Sequence, residues 1–96
     1  MADWKTREHL EDHYGRHRGE LGTRSIEAYD ASAQETIALG RQFTYRDGRT
    51  MERRIGFYHR DTARFVGLTL DRLVVTHFQT DEAHVADMME STYRDE

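Results

Sequence analysis

The sequence predicts an α+β fold in which two N-terminal helices precede a four-stranded antiparallel sheet with meander order and a C-terminal helix. Three observations predict it: apolar residues at helical spacing before residue 40, four strand-like runs between residues 41 and 80, and another helical stripe after residue 80. A chain of 96 residues has room for one core, so residues 1–96 are expected to form a single domain.

Two helices are predicted before residue 40. The first begins at about Asp3, a suitable N-cap, and ends at about Tyr14, because Gly15 is a natural C-terminal stop. The second extends from about Ser25, also a suitable N-cap, to Leu39. Its apolar face is formed by Ile26, Tyr29, Ala33 and Ile37.

Three histidines near the first helix are spaced four residues apart. They are His9, His13 and His17. If the helix continues beyond Gly15, their side chains share one face, and an HxxxH pair on a helix can chelate a metal ion. Leu-Glu-Asp separates His9 from His13, however, so the glutamate of the HExxH motif is not in its place. No metal site is predicted, and without a glycine-rich nucleotide loop no cofactor is predicted either.

Short polar turns divide the region from residue 41 to residue 80 into four strands. The predicted strands are Arg41–Arg46, Arg53–His59, Ala63–Leu70 and Leu73–Gln79. Asp47-Gly48 is a strong turn signal, and the later links are too short for a crossover, so neighbouring strands must be antiparallel. We expect the helices on one face of this sheet. The expected core includes Tyr29, Ile37, Phe57, Phe65 and Val74.

Strand alternation assigns side chains to the two faces of the predicted sheet. In the second strand Arg54 and Tyr58 share a side, and Gly56 between them leaves room for a ligand. In the last strand Val74, Thr76 and Phe78 face one way and Val75, His77 and Gln79 the other. Without a β-bulge, Thr76 and His77 cannot both enter one cleft.

The last predicted helix starts after Asp81, its cap, and continues to about Tyr93. Its apolar stripe consists of Val85, Met88, Met89 and Tyr93 or Thr92. This helix is acidic, and an exposed Met88-Met89 pair on it would make a surface for a homodimer or a partner protein. That observation carries the alternative function, a non-catalytic interaction or regulatory module.

Charge is segregated along the chain. The formal net charge is −4, yet residues 41–64 contain seven arginines against Asp47, Glu52 and Asp61. A basic patch on the sheet can hold a phosphate backbone, although strand arginines also protect sheet edges from aggregation. No apolar run is long enough to span a membrane, the N-terminus lacks a secretion signal, and there are no cysteines, so a cytoplasmic protein is expected.

The histidines, arginines and hydroxyl residues together suit one reaction, the metal-independent cleavage of RNA. One group must take the proton of the 2′-hydroxyl, another must protonate the departing 5′-oxygen, and cations or hydroxyls must stabilise charge on phosphorus. Histidine and arginine perform these tasks near neutral pH. Each histidine also has a structural interpretation, as a loop or sheet residue with satisfied hydrogen bonds.

Three stretches, HYGRHRGELGTRSIEAYDASAQ, TYRDG and IGFYHRDTARFVGLTLDRLVVTHF, resemble the barnase–EndoU–colicin–RelE superfamily of small nuclease and toxin domains. The likeness is to its phage-borne and polymorphic-toxin branches and covers about residues 9–80. Arg16-His17 stands for the family's basic residue and histidine after the first helix, and Thr76-His77-Phe78 for the end of its meander. Ser25, Glu27 and Ala28-Tyr29 approximate its second-helix motif.

The resemblance implies a toxin-type endoribonuclease that a cognate antitoxin or immunity protein neutralises. No membrane partner is expected, because no apolar run is long enough to span a membrane. Combined with the residue chemistry, it gives the predicted catalytic residues His17, Arg54, Thr76 and His77. The predicted substrate-binding residues are His13, Tyr58 and Arg64. Which arginine contacts phosphate, and whether Thr76 or His77 faces the site, are left open.

Overall fold

The structure is a computed structural model that describes the backbone of residues 1–94 and the side chains of residues 1–89. It confirms the predicted α+β architecture. The elements are α1 (Arg7–Leu21), α2 (Ile26–Leu39), β1 (Arg41–Arg46), β2 (Arg53–His59), β3 (Arg64–Leu68), β4 (Val74–Gln79) and α3 (Glu82–Arg94). No helix in this part of the chain is long and apolar enough to cross a membrane.

The four strands form one antiparallel sheet in the order β1-β2-β3-β4, as the short links predicted. Strand β3 is shorter than its predicted range. Ala63 has a left-handed φ of 57° and its N–H donates to Arg60 O, so it belongs to the preceding turn. After Leu68, the N–H of Arg72 donates to Thr69 O and closes the next turn.

Helix α1 differs from its prediction at both ends. Thr6, not Asp3, is the N-cap, and Trp4 forms an isolated parallel bridge with Val74 at the edge of the sheet. The helix also continues through Gly15 and ends at Gly22, whose φ of 67° closes it. The buried side chain of Leu21 explains the continuation, because packing of the last turn offsets the low helix propensity of glycine.

The sheet is covered on both faces, so the expectation that all helices share one face was wrong. Helix α2 packs on one face, where Ala33 contacts a cluster containing Phe57 and Val66. Helix α3 packs on the other, where Val85 contacts a cluster containing Phe65. Apolar side chains alternate onto both sides of the central strands, and each set needs cover.

A register shift near Gly67 and Leu68 changes the faces of strand β4. Gly67 pairs with Thr76 but Leu68 pairs with Val74, so Val75 is the extra residue of a β-bulge. Val74 therefore joins the α2 face rather than the face of Thr76, which corrects the simple alternation.

The predicted core is largely confirmed. Tyr29, Phe57, Phe65 and Val74 are buried, and Ile37 is half-buried against the α2 cluster. Of the predicted stripe on α3, Val85 is buried and the two methionines are half-buried. The side chains of Thr92 and Tyr93 lie outside the described residues.

Candidate functional site

An open cleft of about 890 Å³ lies on the α3 face of the sheet. We call it the basic cleft. Its first wall is formed by Lys5 and three α1 residues, its second by the β1–β2 loop (residues 47–52), and its third by the first half of α3. The α1 residues are His9, His13 and Arg16. Thr76 and Phe78 of β4 lie at its base with Phe65 of β3.

The cleft concentrates positive charge in a protein whose formal net charge is −4. Among the residues whose side chains are described, five cationic side chains line it, against the carboxylates of Asp47 and Asp87. They are Lys5, Arg16, Arg46, Arg49 and Arg54. A concave surface with one sign of charge focuses the electrostatic field and attracts anions.

His13 is the histidine at the junction of α1 and the sheet. Its Nδ1 lies 3.3 Å from Thr76 Oγ1. One guanidinium nitrogen of Arg16 lies 3.2 Å from Nε2 and 3.5 Å from Nδ1. Being almost equidistant, it sits over the ring rather than in line with either nitrogen.

The surroundings of His13 keep its imidazole neutral. Burial, followed by electrostatic repulsion from Arg16 and then from His17, lowers the pKa of His13 from 6.5 to about 4. At neutral pH the ring therefore has one nitrogen with a lone pair. That nitrogen is Nε2 in the tautomer in which Nδ1–H donates to Thr76.

His17 does not line the basic cleft. It lies one turn further along α1, where its ring stacks on His13 with 5.7 Å between centroids and 20° between planes. Its Nδ1 donates to Glu20 Oε1 at 3.0 Å. The structure thus brings His17 beside the cleft but places His13 at its wall.

Arg54 lines the cleft but is already engaged. Its guanidinium lies 3.0 Å from Glu52 Oε2 and 4.0 Å from Asp47 Oδ2, and only 12% of its side chain is exposed. Asp47 also accepts hydrogen bonds from the backbone and hydroxyl of Thr50. Arg54 therefore anchors the β1–β2 loop, whereas Arg49 makes no ion pair with any residue whose side chain is described.

His77 and Arg64 belong to the opposite side of the sheet. His77 is fully buried, and its Nδ1 donates to Phe65 O at 2.9 Å. In the neutral ring Nε2 must then accept, and Ser32 Oγ donates to it at 2.9 Å. Arg64 in turn donates to Ser32 Oγ and to Leu21 O. These contacts hold α1, α2 and the sheet together away from the cleft.

Tyr58 lies on the cleft's face of the sheet but outside the cleft. Its hydroxyl donates to Thr80 O, and it lines a second, smaller cavity on the far side of α3. The expected opening over Gly56 is filled, because the Phe43 ring packs against that glycine. Arg54 and Tyr58 therefore share a face but no site.

The methionine pair of α3 does not form an exposed surface. Met88 and Met89 are half-buried and pack against the cluster that contains Phe43, Tyr45 and Phe65. The methionine pair is thus less exposed than predicted, and the interaction module stays a prediction.

Sequence reasoning missed two histidines as candidate site residues. His9 lines the cleft with its Nδ1 2.7 Å from Thr6 Oγ1, and exposed His84 lines it from α3, near the Phe78 ring. Four-residue spacing put His9 on the same helix face as His13, but it was considered there only as a metal ligand. Nothing in the local sequence signalled His84, whose place depends on how α3 crosses the sheet.

Among the residues that the structure describes, no group of three or more histidine, aspartate or glutamate side chains could hold a metal ion. Comparisons of the chain with protein-family models, curated proteins and solved structures found no match. The site must therefore be interpreted from its own chemistry.

Proposed function

We propose that the protein is a small endoribonuclease that cleaves RNA in the basic cleft without a metal ion. The observation that carries the proposal is neutral His13 held against Thr76 in a cleft lined by five cationic side chains. A phosphodiester supplies the negative charge that such a cleft attracts, and RNA supplies the adjacent 2′-hydroxyl.

The reaction requires two proton transfers and one displacement at phosphorus. Nε2 of His13 takes the 2′-hydroxyl proton while the 2′-oxygen bonds to phosphorus. The bond from phosphorus to O5′ breaks, and O5′ leaves with a proton from a second acid. The products are a 2′,3′-cyclic phosphate and a free 5′-hydroxyl. His9 and His84, which line the same cleft, are the candidates for that acid.

The cations have separate tasks in this proposal. Arg16 and Arg49 are exposed at the cleft and contact the phosphate oxygens, where positive charge stabilises the transition state. Arg16 makes this contact in exchange for its exposed ion pair with Asp12, whose length is 2.8 Å. Arg54 keeps the β1–β2 loop in place through Glu52 and Asp47. Thr76 orients His13 rather than contacting phosphorus. His17, Arg54 and His77, the other residues predicted to be catalytic, act outside the chemical step.

The motif resemblance to the barnase–EndoU–colicin–RelE superfamily supports the proposal, because it too suggests RNA as substrate. It also suggests a toxin that a cognate antitoxin or immunity protein neutralises. Those partners are part of the proposal, and a homodimer is not required by the geometry of the cleft.

The direct test is incubation of the protein with RNA in excess chelator at low salt. Cleavage that leaves 2′,3′-cyclic phosphate ends is expected. A matched substrate with one 2′-deoxynucleotide should resist cutting at that linkage alone, because the nucleophile is missing. Cleavage of the deoxy linkage, or loss of all cleavage in chelator, would refute the proposed chemistry.

A further inference from the structure

We infer that Glu20 and His17 form a positioning pair that holds the His13 ring against Thr76. The inference rests on the proposed function, since it assigns a task to His17 within that site. It differs from a proton-transfer role for His17, because His17 does not line the cleft where substrate would bind.

Glu20 ties the last turn of α1 to the edge of the sheet. Its Oε2 accepts the backbone N–H of Gln79 at 2.9 Å, and its Oε1 accepts Nδ1–H of His17 at 3.0 Å. One carboxylate therefore fixes the His17 ring relative to strand β4. Burial raises the pKa of Glu20, but the hydrogen bonds from His17 and Gln79 outweigh it and keep that pKa below its usual value.

The fixed His17 ring then restricts His13. The ring centroid of Phe78, on β4, lies 5.7 Å from that of His17. The His13 ring stacks on the His17 ring. The Trp4 ring is 6.3 Å from His13. Between these rings the His13 side chain has little freedom to rotate away from Thr76. Thr76 lies on β4, the same strand as Phe78 and Gln79.

Charge as well as shape acts on His13. The charged or titratable groups that act on it are Arg16, His17, Asp12 and His9. Of these, His17 alone combines a stacked ring with a bond to Glu20. A phenylalanine at position 17 would keep the flat ring but lose the hydrogen bond to Glu20.

The experiment compares wild type, His17→Phe, His17→Ala and Glu20→Gln by RNA cleavage and by ¹⁵N NMR of the His13 ring. We expect His17→Ala to lower kcat at least about tenfold with KM changed less than about twofold, because a small displacement of the base slows chemistry. His17→Phe should retain more activity than His17→Ala but less than wild type, because the ring still stacks on His13 while its hydrogen bond to Glu20 is lost. His59→Ala, outside the cleft, is the control.

The NMR measurement keeps the inference testable whatever the enzyme assay gives. We expect His13 to carry its proton on Nδ1 in wild type, to show mixed tautomers in His17→Ala, and to show weaker mixing in His17→Phe and Glu20→Gln. If His17→Phe loses as much activity as His17→Ala, His17 transfers protons itself and the inference fails. Unchanged His13 resonances in folded His17→Ala also overturn it. Inactive wild type with the expected resonances would refute only the proposed enzyme.

Discussion

Thr76 Oγ1 lies 3.3 Å from Nδ1 of His13, although 63 residues separate the two in the chain. This contact joins helix α1 to the edge strand of the sheet, at the base of the basic cleft. Cation-lined walls surround it, and the fully buried His77 lies on the other face of the same strand.

Stability should fall as the pH is lowered from about 6.5 to about 4. Burial lowers the pKa of His77 from 6.5 to about 4, so the folded state binds its proton less readily than the unfolded chain. The stability that neutral His77 contributes is complete above pH 6.5 and lost below pH 4. For this one group the loss corresponds to about 3 kcal/mol in the free energy of unfolding. His13 should add to the effect in the same direction.

Urea unfolding at pH 7 and at pH 4.5 measures this loss. In His77→Gln the difference in unfolding free energy between the two pH values should shrink. In His84→Gln, the control at an exposed position, the difference should stay as in wild type. An equal pH dependence in wild type and folded His77→Gln would show that the buried imidazole is not its source.

Arg49 should contribute one phosphate contact to RNA binding. Each neutralised phosphate of a single strand changes the slope of log K against log salt by about 0.7. Arg49→Gln should therefore make the slope shallower by about that amount. Arg24→Gln, an exposed change between α1 and α2, should not alter it. Fluorescence anisotropy with a labelled single strand over a salt series gives both slopes, and identical slopes would remove Arg49 from the site.

Gly56 should not tolerate a side chain. A Cβ at this position would lie 2.6 Å from Cζ of the buried Phe43 ring, so Gly56→Ala must displace that ring. We expect a loss of about 1–3 kcal/mol in the free energy of unfolding. Phe43→Leu should partly rescue it. Gly48→Ala, with nothing within 4 Å of the added carbon, is the control. Equal stability of the two alanine variants would contradict the packing described for β1 and β2.

The sheet and helix α2 could be predicted because their signals are local. Asp47-Gly48 marks the first turn, and Ser25 caps α2 by accepting from the N–H of Ala28. Helix α1 was predicted too short because Gly15 is a common stop, whereas the actual end is set by burial of Leu21, a tertiary contact.

The candidate site was harder to predict, because it depends on which face each element covers. His13 and Thr76 were both named from the sequence, but their contact requires α1 to reach the sheet edge. The bulge at Val75 places Val74 on the α2 face, and no local feature of the strand sequence predicts this bulge. His84 entered the cleft only because α3 crosses the face opposite α2.

The most direct test of the central claim is the cleavage rate of His13→Gln on RNA in excess chelator under single-turnover conditions. The rate should fall by about 10²–10⁴-fold relative to wild type, the usual contribution of one proton-transfer group, while the circular dichroism spectrum stays that of the folded protein. His59→Gln, on strand β2 outside the cleft, should cleave as wild type does. If folded His13→Gln cleaves as fast as wild type, or if wild type cleaves no RNA, His13 is not the base of a ribonuclease.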